Sequence, residues 1–359
     1  MDFTINTYKQ LLKALQNQGF VFQTFEEYLE RSTQPQPKPD RLCHPGGRLA
    51  SLYPLDKSLQ ALEGKDQPTI ILISESSPSG DRGASASNDK TIILRHDVDK
   101  LPENSLRFAQ IQHELGIKGS YYFRMVPESF DTDIIKQIAN LGHEIGYHYE
   151  DIDLASKRIN KQGTRNKEQE TSLAELAIEL FDMHLKELRR FYPVKTICMH
   201  GSPLSKYDNK LIWKYYNYRE YGIIGEPYFD VDFSNVLYLT DTGRRWNGEK
   251  VSIRDKVNKD RADTPLNYKR ENCDNFLPSP QPPEGGSPLG DKGVRTGQCK
   301  NFHSTSDIIR AANNGKLPDQ IMFTFHPQRW TDRPLSWLKE LVLQNVKNLA
   351  KLVLNSIRK

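Results

Sequence analysis

Thr91–Lys100, TIILRHDVDK, is the stretch from which the fold of this chain is best interpreted. Ile92–Leu94 form a short apolar run that is typical of a strand buried on both faces. In extended chain Asp97 and Asp99 point to one side and Val98 to the other. Two carboxylates on one side repel each other unless a cation or a shared proton relieves them. The pattern therefore predicts a site at the carboxyl end of the strand, where α/β sheets bind ligands. The alternative is a capped strand end with surface acids.

Composition restricts the class of protein. The chain has 359 residues, enough for one large domain or two ordinary ones. Its 36% hydrophobic content and mean hydropathy of −0.69 predict that part of it lies outside the packed core. The 50 basic and 46 acidic residues nearly balance, so we expect no nucleic-acid partner. The four cysteines show no CxxC spacing, which fits a reducing compartment. No secretory signal or membrane-spanning stretch is visible, so the expectation is a cytoplasmic protein without a membrane span.

Two changes of composition divide the chain. Residues 32–89 and 259–301 are rich in Pro, Gly and Ser and lack periodicity, so they are interpreted as two low-complexity insertions, flexible or disordered. The sequence leaves open whether they bind partners. The rest is predicted to comprise an N-terminal helical segment at 1–31 that packs on the main domain, the first part of that domain at 90–258, and a last strand with a C-terminal helix at 302–359.

Helices alternate with short apolar strands after the opening strand, which is the rhythm of a parallel α/β sheet. The predicted strands include residues 120–123, 143–148, 196–199, 222–228, 231–239 and 320–325. The predicted helices include residues 8–18, 24–31, 102–115, 132–141, 167–190, 306–313 and 334–357.

Chemically active side chains follow four of the predicted strands. Asp97 and Asp99 end the first, and His148, His200 and His326 end three others. Three histidines at strand ends, beside a pair of carboxylates, are more than the nine histidines of the chain would place there by chance. If the fold brings these ends together, the cluster suits zinc or another divalent metal. The same cluster offers a base and an acid for metal-assisted hydrolysis.

Three motifs carry a family resemblance. RHDVD at 95–99, GHEIGYH at 142–148 and FTFHP at 323–327 together resemble the polysaccharide deacetylases of the NodB type, carbohydrate esterase family four. The resemblance is greatest to the divergent branch found near surface-polysaccharide biosynthesis genes, and it extends from residue 91 to about residue 330, apart from the second insertion. It implies a distorted (β/α) barrel. It also implies a hydrolase that uses a divalent metal, Zn²⁺ above all, to remove an N- or O-acyl (acetyl) group from a sugar or polysaccharide precursor.

The resemblance also implies roles for particular residues. By position in the motifs, Asp97 matches the general base, and Asp99 and His148 match metal ligands of the family. His326 matches the catalytic histidine of a late strand, which protonates the leaving group.

A third metal ligand has to be sought elsewhere, because Ile152 stands where the family has a second histidine. Glu150, Asp151 and His200 are the candidate replacements. His200 is favoured, since it too follows a strand.

Four further residues are candidate substrate contacts: Glu150, Asp241, Arg244 and Trp330. Asp241 and Arg244 lie in a compact polar turn, where they orient the base, bind a sugar or form a structural ion pair. Trp330 either stacks on a sugar ring or covers the mouth of the barrel. By contrast, His96 faces away from the carboxylates and is expected to support the site from behind, and His143 is expected to hold a turn.

Two other functions stay open at the level of sequence. One is a metal-dependent hydrolase of another ester, an amide or a phosphoester, since strand ends with His and Asp also serve those reactions. The other is a catalytically inactive barrel that binds a glycan. Metal content separates the second alternative from the deacetylase, and the product released separates the first.

Overall fold

The computed structural model describes most of the predicted main domain. The described residues are 1–33, 90–162, 169–201, 205–246 and 302–357. The first predicted insertion, 32–89, lies outside these ranges except for residues 32 and 33, which end a helix, and the second, 259–301, lies wholly outside them.

Seven strands and ten α-helices lie within these ranges. The strands are β1 (Val21–Gln23), β2 (Thr91–Val98), β3 (Ser120–Phe123), β4 (Glu144–Tyr149), β5 (Ile197–Met199), β6 (Leu237–Thr240) and β7 (Gln320–Phe325). The helices are α1 (Ile5–Asn17), α2 (Phe25–Thr33), α3 (Pro102–Glu114), α4 (Thr132–Asn140), α5 (Asp151–Gln162), α6 (Gln169–Arg189), α7 (Ile212–Tyr215), α8 (Pro227–Asp230), α9 (Thr305–Asn313) and α10 (Pro334–Ile357). Within the described ranges, none of these helices combines the length and the apolar character that crossing a membrane requires.

One curled parallel sheet organises the molecule. Its strands follow the order β5-β4-β3-β2-β7-β6, and β1 pairs with the first residues of β2. Every paired strand in it is parallel. The sheet forms a half-barrel, which confirms the α/β class and is compatible with the predicted (β/α) barrel. Because parallel strands end at one edge, the residues after β2, β4, β5 and β7 come together there.

The central strand β2 is buried along almost its whole length, as its apolar run predicts. It pairs with β7 over Thr91–His96 and with β3 over Arg95–Val98. Ile92 and Leu94 lie in the hydrophobic core with the apolar side of α1. Val98 points into the same core, so its neighbours Asp97 and Asp99 emerge together on the other side.

Two sequence-based assignments were wrong. Residues 222–228 and 231–239 were predicted as strands, but only Leu237–Thr240 forms one, and Pro227–Asp230 is a short helix. Glu226 caps that helix by accepting a hydrogen bond from the backbone N–H of Tyr228 at 2.6 Å, and Pro227 occupies its first position. This local capping outweighs the alternation of apolar residues.

The helix α5 was missed altogether, because the acidic residues that follow His148 were interpreted as a polar strand end. Asp151 and Asp153 instead form its first turn, where the helix dipole favours negative charge.

Candidate functional site

Three atoms that could bind a metal form a small triangle at the carboxyl edge of the sheet. Asp99 Oδ1 lies 3.5 Å from His148 Nε2 and 3.3 Å from His200 Nδ1, and the two nitrogens are 3.2 Å apart. Zinc bonds of about 2.0–2.1 Å in tetrahedral geometry separate the ligand atoms by about 3.3–3.4 Å. The triangle therefore has the size of one face of a zinc coordination tetrahedron.

The sheet brings these three residues together from distant parts of the sequence. Asp99 follows β2, His148 lies near the end of β4, and His200 follows β5. β4 and β5 are paired with His148 opposite Cys198. Side chains alternate along a strand, so His200 points to the same side as residue 198 and meets His148. The fold thus meets the condition under which the sequence pattern indicates a metal site, namely that the strand ends lie close together.

The hydrogen bond that His148 makes through Nδ1 shows that its other ring nitrogen, Nε2, carries no proton and could bind a metal. His148 Nδ1 lies 3.0 Å from the carbonyl oxygen of Cys198, which can only accept, so Nδ1 carries the proton. Burial lowers the pKa of His148, although Asp97 and Asp99 oppose that effect, and the ring is neutral at pH 7. Its Nε2 lone pair therefore faces Asp99 and His200.

Asp99 adds a carboxylate oxygen to the two imidazole nitrogens, and such a set of ligand atoms suits a cation. Its Oδ1 is cut off from solvent and has no hydrogen-bond partner within the described structure. Burial acts to raise the pKa of Asp99, but the interactions with His200 and His326 hold it well below its usual value, so the carboxylate is charged. Its other oxygen accepts a 2.8 Å hydrogen bond from Gln328 Nε2, which orients the group. A half-buried carboxylate and two imidazoles fit a divalent metal with nitrogen and oxygen ligands.

Asp97 is held beside the triangle by an arginine that sequence reasoning overlooked. Arg95 is buried, and its Nε and Nη2 donate to Asp97 Oδ1 and Oδ2 at 2.8 and 2.6 Å. Asp97 Oδ2 lies 3.8 Å from His148 Nε2, so the carboxylate borders the metal-sized gap without joining the triangle. The signal for Arg95 was present in RHDVD, because residues two apart on a strand share a face.

His326 faces the carboxylates from the other side of the gap. Its Nε2 lies 4.0 Å from Asp97 Oδ2 and 4.0 Å from Asp99 Oδ2. Its Nδ1 lies 2.5 Å from Asp241 Oδ1. Burial and Arg329 act to lower the pKa of His326, but Asp241 and Asp99 outweigh them and the pKa is raised. The protonated ring is therefore favoured.

Asp241 supports the site and does not open to it. This fully buried carboxylate accepts hydrogen bonds from the backbone N–H of His326 at 2.9 Å, from Trp330 Nε1 at 2.6 Å and from Arg329 Nη1 at 3.1 Å. One interpretation of the sequence paired Asp241 with Arg244 in a structural ion pair. In the structure, the arginine paired with Asp241 is Arg329. Arg329 was not identified from the sequence.

The remaining candidate substrate contacts are occupied by internal partners. Glu150 is buried and makes two 2.8 Å hydrogen bonds with Arg124, which also donates to the backbone carbonyl of Asp99. Trp330 is 1% exposed, and its ring packs in an aromatic cluster, so neither face is open to a sugar. Arg244 lies over the ring of Trp337 at 5.0 Å and donates to the backbone carbonyl of that residue. Glu150, Trp330 and Arg244 are thus built into the protein around the site.

Other predicted residues fall outside the triangle. His96 stacks on Tyr121 on the opposite face of β2, so it belongs to the core. His143 holds a turn as predicted, by accepting from the N–H of Gly119 at 3.2 Å. Ile152 is fully buried in the core. The sequence analysis assigned no site role to any cysteine. In the structure, however, a possible ligand atom of the buried Cys198 lies within 4.8 Å of those of Asp97 and His148.

Comparison with known proteins finds no match: no family model matches this chain, and neither does any curated protein or solved structure. The geometry of the side chains and the motifs in the sequence are therefore what indicate a function.

Proposed function

We propose that this protein is a metal-dependent hydrolase that removes an N- or O-acyl group, such as acetyl, from a sugar or polysaccharide precursor. The observation that carries the proposal is the Asp99–His148–His200 triangle with Asp97 on one side and His326 on the other. The resemblance of RHDVD, GHEIGYH and FTFHP to polysaccharide deacetylases supports the choice of an acylated sugar. It also supports a distorted (β/α) barrel of the deacetylase type, with which the observed half-barrel is compatible.

In this proposal Asp99, His148 and His200 hold the metal, and Zn²⁺ suits their one oxygen and two nitrogens best. A bound divalent cation supplies Lewis-acid polarisation of the acyl oxygen and of an attacking water. Asp99, His148 and His200 would supply three ligands to the ion and would leave room beside it for water or substrate. Gln328 on Asp99 and the Cys198 carbonyl on His148 keep two of the ligands in orientation.

Asp97 is the proposed general base. Its Oδ2 is the oxygen that faces the gap, and it accepts the proton of the attacking water. The two parallel hydrogen bonds from Arg95 fix the plane of the carboxylate, so the oxygen does not need to reorient during the reaction.

His326 is the proposed general acid. Its Nε2 faces the gap with a proton that it can donate to the departing amine or alkoxide. Asp241 at Nδ1 fixes the ring orientation and stabilises the imidazolium form.

The first experiment is metal analysis by mass spectrometry on protein purified without chelator. We expect about one zinc or similar ion per chain in the wild type and in His113→Ala, whose histidine lies at the end of α3 away from the triangle. His148→Ala and His200→Ala each remove one of three ligands and are expected to lose the metal. A chain that stays metal-free after metal is added back would overturn the metal-dependent mechanism and leave the glycan-binding alternative.

Product analysis then distinguishes the chemistry. Metal-loaded protein is incubated with N- and O-acetylated sugars and, separately, with sugar phosphoesters. Release of acetate that disappears in Asp97→Asn supports the deacylase. Release of phosphate without acetate would instead assign the site to phosphoester hydrolysis.

A further inference from the structure

The C-terminal helix α10 turns polar residues towards the protein and apolar residues towards solvent. Gln344 and Asn348 are each only 7% exposed, and Asn348 Nδ2 donates to the backbone carbonyl of Gly243 at 2.9 Å. Five apolar side chains on the opposite side are 52–84% exposed; they form what we call the outer stripe, Leu335, Leu338, Val342, Val346 and Leu349. None of the described side chains of α10 belongs to the hydrophobic core. This is the reverse of a surface helix that packs on its own domain.

The outer stripe is straight and symmetrical. At about 100° per residue, all five side chains lie within about 40° of Val342 around the helix axis. The spacing along the sequence is three, four, four and three residues, which is symmetrical about Val342. If two copies of α10 pair antiparallel with Val342 opposite itself, Leu335 meets Leu349 and Leu338 meets Val346. Such reciprocal contacts are what a two-fold interface requires.

We propose that the outer stripe is the interface of a homodimer, in which α10 of one copy packs antiparallel on α10 of a second copy. The charges of the helix are compatible with this arrangement. In the same register Lys339, beside the stripe, lies at the height of the uncharged Asn345 of the second copy, whereas Glu340 and Lys347 lie about 140–160° around the helix axis from Val342 and face away from that copy. No two like charges face each other across the pair, so nothing electrostatic opposes it.

The composition of the stripe favours a second copy over a membrane surface. Helices that lie in a membrane interface carry aromatic residues on the apolar face and many Lys or Arg residues on the polar face. The outer stripe is wholly aliphatic, and the tryptophan of the helix, Trp337, is on the protein side, stacked on Arg244.

The size of the stripe sets the expected strength. From Leu335 to Leu349 it runs about 21 Å along the axis, since each residue rises about 1.5 Å. A contact between two helices of this length is at the lower end of specific protein interfaces. The dimer is therefore expected to form in the micromolar range and to dissociate on dilution.

Light scattering after size-exclusion chromatography of the full chain, loaded from about 1 to 200 µM, tests the proposal. We expect a mass twice the 41.4 kDa of the chain at the highest concentration. Leu338→Lys is expected to weaken the dimer at least about tenfold, because it places a charge in the stripe. Ser336→Lys adds the same charge to an exposed position off the stripe and is the matched control. A single-chain mass at 200 µM, or a dimer unaffected by Leu338→Lys, would overturn the interface.

A charge exchange tests the antiparallel register. In the double variant Leu338→Lys with Val346→Glu, each introduced lysine faces the introduced glutamate of the other copy, so dimerisation is expected to recover from its level in Leu338→Lys. A parallel pair would oppose like charges, and failure to recover would contradict the proposed register. Binding of a monomeric wild type to phosphatidylserine vesicles, lost in Leu338→Lys, would assign the stripe to a membrane and overturn the dimer.

Discussion

The two carboxylates at the end of β2 relieve their repulsion in different ways. Asp97 has both oxygens on the guanidinium of Arg95. Asp99 leaves one oxygen without a hydrogen-bond donor, facing His148 and His200. Because Asp97 is already neutralised by a protein group, only Asp99 needs an added cation. This difference is the basis for dividing the proposed roles into a base and a metal ligand.

Replacing Asp97 with Asn tests that division. An amide cannot accept the proton of water, so kcat for acyl release is expected to fall about 10²–10⁴-fold. Metal content should stay at the wild-type level, since Asp97 lies outside the triangle. Steady-state kinetics and metal analysis on the same preparation check both expectations. Loss of the metal along with activity would show that Asp97 is a ligand and that the assignment is wrong.

Asp241 is expected to act through His326 and not on the substrate. Asp241→Asn removes the charge that supports the imidazolium ring, so kcat is expected to fall about 10²–10⁴-fold with little change in KM. Asp241→Asn combined with His326→Ala should then be no slower than His326→Ala alone. Independent, additive losses in the double variant would argue against a positioning role.

At the scale of elements, the two ends of the strands differ in what they hold: one end carries the candidate site and the other a buried structural carboxylate. The carboxyl edge holds the candidate site, and near the start of the same strands a buried carboxylate joins the sheet to α2. Glu144 accepts hydrogen bonds from Ser120 Oγ at 2.6 Å, from Thr196 Oγ1, and from the backbone N–H of Glu26 at 3.1 Å. Burial raises the pKa of Glu144, although these hydrogen bonds act against the shift. The first turn of α2 is therefore anchored to β3 and β4.

Glu144→Ala is expected to lower the free energy of unfolding by about 1–3 kcal/mol, because it leaves buried donors without an acceptor. Urea unfolding followed by circular dichroism measures the change. Glu114→Ala, which removes an exposed ion pair with Lys9, serves as the control and should cost no more than about 1 kcal/mol. Equal losses in the two variants would show that the buried hydrogen bonds of Glu144 contribute no more to the free energy of unfolding than the exposed ion pair does.

At the scale of the whole molecule, two buried histidines make the fold sensitive to acid. Burial lowers the pKa of His96 to about 3 and that of His143 to about 4. In the unfolded chain both titrate near 6.5, so that chain takes up protons at a pH where the folded protein cannot. Their contribution to stability is complete above about pH 6.5 and is lost as the pH falls towards 4 and 3.

His96→Phe tests this coupling. The phenyl ring can keep the stacking on Tyr121, which has a centroid distance of 4.2 Å, but it binds no proton. The variant is expected to be less stable than wild type at pH 7, because Ser120 and Gln112 lose their hydrogen-bond partner. Between pH 6 and 4 its stability should fall less steeply, by up to about 1.4 kcal/mol per pH unit. Unfolding curves at several pH values measure the slope, and His113→Gln, at an exposed position, should keep the wild-type slope.

Local patterns in the sequence were enough to predict several strands and helices of this protein. The strands at 120–123 and 320–325 and the helix at 334–357 were predicted with the bounds observed, because alternation, apolar runs and flanking turn residues are local signals. The same reasoning placed Asp97 and Asp99 on one side of β2 and His148, His200 and His326 at strand ends, and parallel pairing then brought all five together.

Only the tertiary structure decided which partners each of these groups has. Asp241 beside His326, Arg329 on Asp241 and Arg124 on Glu150 join residues 26 to 88 positions apart, and no local pattern encodes such pairs. The burial that lowers the pKa of His148 and the histidine contacts that lower the pKa of Asp99 also depend on the folded surroundings. The sequence by itself determined which residue types reach the edge of the sheet, through the two-residue period of a strand. Their division into triangle, base and supporting groups required the fold, because distance and burial belong to the packed molecule.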